Sequence, residues 1–314
     1  MKAVYFSSFG GPEVLQAGEL PEPRPESDKL IIQIKAVSIN PVDYKIRRGN
    51  LKLMTGSKFP QIPCCDFAGI VRDSVPENTG FNPCDKVYGY IPTMLRKPGA
   101  LAELAVASPR HVSLVPEGMV FEEAASLPVA CLTALNGLRR GGDLTGKTIL
   151  INGATGGVGH FAVQIARSKG AIVTGICSTR NHDLAKKLGC EDAFDYADAG
   201  LAVMNKKFDM IFDAWGKMNV QESYRLLKQN GIYATTQLNP LNLVSSFLGS
   251  LVSGKKMTSA SLRTRPKDFE EMELLFKKGL IRPYVEHTFT LNEAADAFRF
   301  AESGKHRGKV VIRI

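Results

Sequence analysis

Residues 148–166 read TILINGATGGVGHFAVQIA, and this stretch constrains the chain more than any other. Thr148–Asn152 has the length and apolar content of a buried strand. A glycine-rich turn follows, and then a helical pattern. Ala154, Gly156 and Gly159 keep the spacing G-x-G-x-x-G with Ala in the first place, while Gly153, Gly156 and Gly159 give a second reading at three-residue intervals. In such a turn the middle glycine lets backbone approach a pyrophosphate, and the last lets the helix pack close to the strand. The helix N-terminus offers free N–H groups and the positive end of its dipole. Glycine spacing alone is weak evidence, but here it joins a strand to a helix. The reading makes Gly153, Ala154, Thr155, Gly156, Gly157, Val158 and Gly159 candidate dinucleotide-binding residues; the bland alternative is a tight turn.

The rest of the chain gives that turn a setting. Its 314 residues favour two domains or one large α/β domain. Residues 1 to about 120 carry short β-type runs, KAVYF, LIIQIKAVSI, DFAGIVRDS, DKVYGYI and LAELAVAS, among Pro and Gly, as an irregular antiparallel barrel does. From about 122 to 262, strand-length apolar runs alternate with helical patterns such as VGHFAVQIARSKG and DLAKKLG, as in βαβ units with a parallel sheet. The chain ends in the strand KVVIRI, which we expect to rejoin the first domain. The expected fold is α/β: a β-rich domain of residues 1–121 and 263–314, with a doubly wound nucleotide domain, 122–262, inserted.

Several function classes recede on composition. Net charge is +9, but the basic groups are dispersed and do not interleave with aromatics, which argues against nucleic acid. No apolar run reaches the roughly 18 residues needed to span a bilayer, and MKAVYF lacks the sections of a signal peptide. The six cysteines show no CxxC spacing and read as reduced, mostly buried thiols. A soluble, cytoplasmic protein acting on a small molecule is expected.

Cofactor choice is read at the end of the second strand of the nucleotide fold, where an NAD enzyme usually has Asp or Glu. Here the chain reads Cys177-Ser178-Thr179-Arg180-Asn181, with no carboxylate until Asp183. Two hydroxyls and a guanidinium suit a 2′-phosphate, so NADPH is expected. The alternative is that Arg180 is a surface residue opening the next helix.

An ordered set of motifs now becomes specific. Ser38-Ile-Asn40-Pro-Val-Asp43-Tyr44-Lys45-Ile-Arg47-Arg-Gly49, Pro63-Cys-Cys-Asp66-Phe-Ala-Gly69, Gly99-Ala-Leu-Ala-Glu103, Ala124-Ala-Ser-Leu-Pro128 with Leu132-Thr133-Ala134, Glu293-Ala-Ala-Asp-Ala-Phe298 and Gly308-Lys-Val-Val-Ile312 span nearly the whole chain. Together they resemble the quinone oxidoreductases of the medium-chain dehydrogenase/reductase superfamily, near quinone oxidoreductase homologues and alkenal/enone reductases. The resemblance implies a GroES-like catalytic domain, a Rossmann-like cofactor domain, a ligand cleft between them and a homodimer. It implies that Asn40 lies near nicotinamide and substrate and Thr133 near nicotinamide. Tyr44 and Lys45 are candidate hydrogen-bond donors, with water an alternative proton source. It also implies Ser178, Arg180 and Tyr196 around the 2′-phosphate, although Asn181 stands where many relatives have Lys.

Zinc members of the superfamily carry Cys where Asn40 stands, a His-Glu pair where Cys65-Asp66 stands, and a cysteine lobe without counterpart here. No metal is therefore expected. Without a Lewis acid, the expected reaction is reduction of a quinone or an α,β-unsaturated carbonyl by NADPH. Read alone, Asn40-Pro41 is more simply a turn initiator, and Thr133 a packed helix residue. The rival function is a non-catalytic NADPH-binding protein, structural or nucleic-acid-binding, on the same fold. Finally, an apolar stripe over 241–252 at helical spacing is first core or interface packing; lid, dimer contact and membrane-surface anchor are its other readings.

Overall fold

The computed structural model describes residues 1–24, 26, 28–72, 79–196, 205–237, 254–265 and 267–314. The stripe over 241–252 lies outside them. The chain divides into two compact units, Met1–Val129 with Pro283–Ile314, and Ala130–Arg282.

The first unit is built on a seven-stranded sheet. Its strands are β3 (Leu30–Ser38), β4 (Asp66–Val71), β5 (Lys86–Tyr90), β6 (Leu104–Ala107), β7 (Val112–Leu114), β14 (Val285–Thr290) and β15 (Lys309–Arg313). The order is β14-β15-β3-β4-β5-β7, with β6 also on β3; β1 (Lys2–Phe6) and β2 (Leu15–Glu19) pair separately. The C-terminal strand returns to lie antiparallel on β3. Apolar side chains such as Ile32, Ile34, Val37, Phe67 and Ile312 are fully buried in this unit's core. What matters for function is the register. Val311 faces Ser38 across one side of β3, and Asp66 faces Ser38 across the other. The ends of three neighbouring strands therefore meet where the chain leaves β3 and enters helix α1 (Pro41–Arg47).

The second unit holds an all-parallel six-stranded sheet ordered β10-β9-β8-β11-β12-β13. The strands are β8 (Thr148–Asn152), β9 (Ile172–Ile176), β10 (Asp192–Phe194), β11 (Phe208–Asp213), β12 (Leu227–Thr235) and β13 (Lys256–Ser259). After β8 the chain adds β9 on one side and then β11 on the other. The end of β8 is thus the topological switch point, where open α/β sheets bind ligands. Helix α2 (Gly159–Ser168) buries Phe161, Ala162, Ile165 and Ala166.

The units divide at 129/130 and 282/283, where the sequence reading puts 121/122 and 262/263. The helix Asp268–Lys277 accounts for the second difference. Its Asp268 and Glu271 pair with Arg139 at 2.6 and 2.5 Å, and Glu271 also with Lys169 at 2.8 Å, which ties it to the nucleotide unit. Among the described residues no helix is long and apolar enough to cross a membrane.

Candidate functional site

In the first unit the site is a buried polar knot at the head of α1. The Asp43 carboxylate reaches back to accept the Asn40 backbone N–H at 2.7 Å and accepts the Cys65 N–H at 3.0 Å. This fixes where Asn40 stands and ties the α1 turn to the segment before β4. The Asn40 side chain, 3 % exposed, points into the knot. Its Nδ2 donates to Asp66 Oδ2 at 2.8 Å and lies 3.5 Å from Cys65 Sγ; its Oδ1 accepts from Lys309 Nζ at 2.7 Å. Asp66 also accepts the Val129 N–H at 3.0 Å and the Ser38 hydroxyl at 3.2 Å. Lys309 Nζ lies 3.7 Å from Asp66 Oδ2.

The orientation of the Asn40 amide is chemically forced. An ammonium has no acceptor and an ionised carboxylate has no donor, so Oδ1 must face Lys309 and Nδ2 must face Asp66. Burial pushes the carboxyls up: Asp43 to about 7, against the Asn40 N–H that donates to it, and Asp66 upward, with Lys309 opposing. The Cys64 and Cys65 thiols are held well above their ordinary range by burial, with the nearby carboxylates adding to it. Tyr44 is half-buried against the unit's core, and burial raises its phenol. Lys45 follows it, half-buried, on α1. Buried Arg47 anchors the helix by donating to the Gly10 carbonyl at 3.0 Å and pairing with Glu302.

In the second unit the glycine turn is as tight as its sequence requires. Gly153 adopts φ +77°, a conformation that favours glycine. A Cβ on Gly159 would stand 1.9 Å from the Gly153 carbonyl oxygen, so no larger residue fits where the helix meets the strand. A Cβ on Gly156 would meet only the same oxygen, at 3.3 Å, and would otherwise project into open space. At the start of α2 the His160 and Ala162 N–H groups donate back to the Gly156 and Val158 carbonyls at 3.0 Å, and the helix turns the positive end of its dipole to the turn.

Ser178, Thr179 and Arg180 follow β9, with Thr179 and Arg180 exposed. The Thr179 N–H and hydroxyl both donate to the carboxylate of Asp195, which follows β10. Tyr196, 60 % exposed, lies with its ring 6.0 Å from that of Trp215. Trp215, the chain's single tryptophan, sits against Gly153. Its loop is held by fully buried Asp213, which accepts the Gly216 and Met218 N–H groups at 2.8 and 3.0 Å, the Asn152 amide at 2.7 Å and the Tyr233 hydroxyl at 2.9 Å.

Asn40, Tyr44 and Lys45 therefore share one end of the first unit. The glycine turn, Ser178, Thr179, Arg180 and Tyr196 share the C-terminal edge of the parallel sheet. Thr133 is buried in the helix Pro128–Leu138, in the second unit. Sequence reasoning misses Lys309 and Asp66 as partners of Asn40, although both lie in quoted motifs. It also misses Asp195 and Trp215, which no local motif marks.

Two family models match parts of the chain, one within the first unit and one running from the second unit into the C-terminal part of the first. A family model described as alcohol dehydrogenase GroES-like domain matches residues 26–117, and one described as zinc-binding dehydrogenase matches residues 188–312. A chloroplast envelope quinone oxidoreductase homolog of Arabidopsis thaliana is 32 % identical over 99 % of this chain and 98 % of its own. The chloroplastic NADPH-dependent alkenal/one oxidoreductase of the same plant is 29 % identical, over 99 % of this chain and 79 % of its own. The solved quinone oxidoreductase of Coxiella burnetii superimposes with a TM-score of 0.91 at 30 % identity, covering 100 % of this chain and 99 % of its own.

Proposed function

The chain belongs to the quinone oxidoreductase-like branch of the medium-chain dehydrogenase/reductase superfamily, and from that premise we propose that it is a zinc-independent, NADPH-dependent reductase of quinones or α,β-unsaturated carbonyls. The observation that carries the reaction class is the donor set around Asn40. Zinc is bound by thiolate, imidazole or carboxylate. Here the three positions hold an amide, a thiol that burial keeps protonated and a carboxylate already facing an ammonium. Among the described residues no three His, Cys, Asp or Glu side chains group to hold a metal ion. That set does not fit the zinc that the matched model's description implies. It supports reduction of an electron-poor acceptor, which needs orientation and hydrogen bonding rather than activation of an alcohol.

NADPH, when bound, supplies the hydride. The glycine turn suits its pyrophosphate: Gly156 leaves room for close approach, and the positive dipole end of α2 would attract the phosphate charge. Ser178 and Arg180 would hold the 2′-phosphate, since Thr179 is taken up by Asp195. Asn40 Nδ2 would donate to the oxygen on which charge accumulates. Its second N–H has only a weak sulfur acceptor at 3.5 Å, which an oxyanion would displace. Tyr44, Lys45 or water would return the proton. Thr133 would line the nicotinamide. The proposal keeps the acceptor a small molecule, the protein a cytoplasmic homodimer, and nucleic acid no partner; cell fractionation and a sedimentation run check the location and the assembly.

The test is NADPH oxidation with 9,10-phenanthrenequinone, a short 2-alkenal and, in reverse, NADP⁺ reduction by ethanol, before and after prolonged chelation. Turnover of the first or second substrate, unaffected by chelator, is expected. Ethanol oxidation alone, or activity lost with stoichiometric zinc, would refute the class. NADPH binding without turnover of any substrate would favour a non-catalytic protein.

A further inference from the structure

Lys309 opens β15 and is 2 % exposed. Its ammonium donates to Asn40 Oδ1 at 2.7 Å and to the Ile39 carbonyl at 3.2 Å, and faces Asp66 at 3.7 Å. Lysine is almost never fully buried, because its charge must then leave water. A buried ion pair seldom repays that cost in stability better than apolar side chains of similar volume would. Stability alone is thus a weak reason for an ammonium here.

Its contacts give a better reason. Lys309 and Asp66 lie side by side along the edge of the Asn40 amide, the ammonium on its oxygen and the carboxylate on its nitrogen, 3.7 Å from each other. The ammonium on Oδ1 forbids the flipped amide and polarises the group, so that its N–H becomes a stronger donor. Asp66 uses one N–H; the other rests near the Cys65 sulfur. We propose that Lys309 is the fixed cation of this site, a positioning residue that holds and polarises Asn40 and takes the electrostatic place a bound divalent metal would have. The proposal rests on the reductase reading for its kinetic consequence but not for its geometry.

The experiment compares Lys309→Met, which keeps the stem and removes the charge, with Lys309→Arg, which keeps the charge. Because the methionine variant leaves Asp66 buried without its cation, Lys309→Met/Asp66→Asn is prepared as well and read against Asp66→Asn alone. At saturating acceptor, loss of Lys309 is expected to lower kcat by about tenfold or more. The Kd for NADPH, followed through Trp215 emission, should change less than twofold, since the glycine turn belongs to the other unit. Arginine should restore part of kcat. Independently of turnover, the Asn40 side-chain amide pair in a ¹⁵N–¹H spectrum, identified by its absence in Asn40→Asp, should shift and exchange faster without Lys309 and recover with arginine. An unmoved amide pair, or unchanged kcat in a folded variant, overturns the proposal. So does stoichiometric zinc in wild-type protein prepared with zinc present. A wild type that turns over no acceptor refutes the reductase reading, and the amide spectrum then decides this one by itself.

Discussion

Two glycines three residues apart, Gly156 and Gly159, should respond to the same substitution in opposite ways. In Gly159→Ala the new methyl would stand 1.9 Å from the Gly153 carbonyl oxygen and 2.7 Å from its carbon. Both are backbone atoms of a turn already held by Gly153 and Ala154 N–H bonds to the Ile176 carbonyl, at 2.9 and 3.0 Å. Neither can swing aside as a flexible side chain would, so strand end and helix start must part. Overpacking of this kind costs about 1–3 kcal/mol. The gain in helix propensity, about 1 kcal/mol at an interior position and less at the first, offsets only part. The net cost, about 0.5–2.5 kcal/mol, should lower the melting temperature of the second unit by about 1–10 °C, taking 2–4 °C per kcal/mol. In Gly156→Ala the methyl meets one oxygen at 3.3 Å, and the melting temperature should move by no more than about 2 °C. Yet that methyl projects into the space a pyrophosphate would need, so NADPH should bind at least about tenfold more weakly, or about 1.4 kcal/mol. Thermal melts followed by circular dichroism and titration of NADPH fluorescence measure the two quantities separately. If Gly156→Ala binds NADPH normally, the turn is not a phosphate cradle. If Gly159→Ala melts with the wild type, the contact distances do not govern this junction.

Arg180→Ala should weaken NADPH by about tenfold to a hundredfold, the loss of one charge-assisted hydrogen bond, and leave NADH nearly unchanged; fluorescence titration with both cofactors checks it, and a wild-type preference for NADH would sink the assignment. The first unit should lose stability as pH rises from about 4 towards 7. Asp43 is raised in the folded protein to about 7 by burial, so its contribution is full below the unfolded value near 4 and is lost as pH passes the folded one. Melting temperatures between pH 4 and 8 should therefore fall more in wild type than in Asp43→Asn, and parallel curves would show that Asp43 does not titrate in this range.

The parallel sheet is legible because it is written in local runs. Thr148–Asn152 is the strand the sequence predicts, residue for residue. The helical pattern over 158–170 and the DLAKKLG pattern become Gly159–Ser168 and His182–Leu188, the latter stopping at Gly189 with φ +117°. Each of these signals lies within one turn or one strand. The join between units is less legible, because what holds Asp268–Lys277 to the nucleotide unit is an ion-pair set linking Arg139, Lys169, Asp268 and Glu271, residues up to 132 positions apart.

The candidate site divides along the same line. Asn40 and Asp43 form a local capping arrangement that a reader of NPVD can anticipate. Lys309 reaches Asn40 from 269 positions away only because β15 lies beside β3, and strand order is not a local property. The same limit applies to cofactor choice. Counting forward from β9 finds no carboxylate before Asp183, yet Asp195 comes back to Thr179 because β10 runs parallel beside β9 and both strands end on one edge. A negative charge there opposes a 2′-phosphate, and it also removes Thr179 as a free donor. On the proposed NADPH site, discrimination against NADH would rest on Arg180 outweighing Asp195, an exposed cation against a half-buried carboxylate. Such a balance is shallow. It implies that Asp195→Asn should raise the preference for NADPH, whereas a carboxylate that only holds the Thr179 turn would, when neutralised, weaken both cofactors alike.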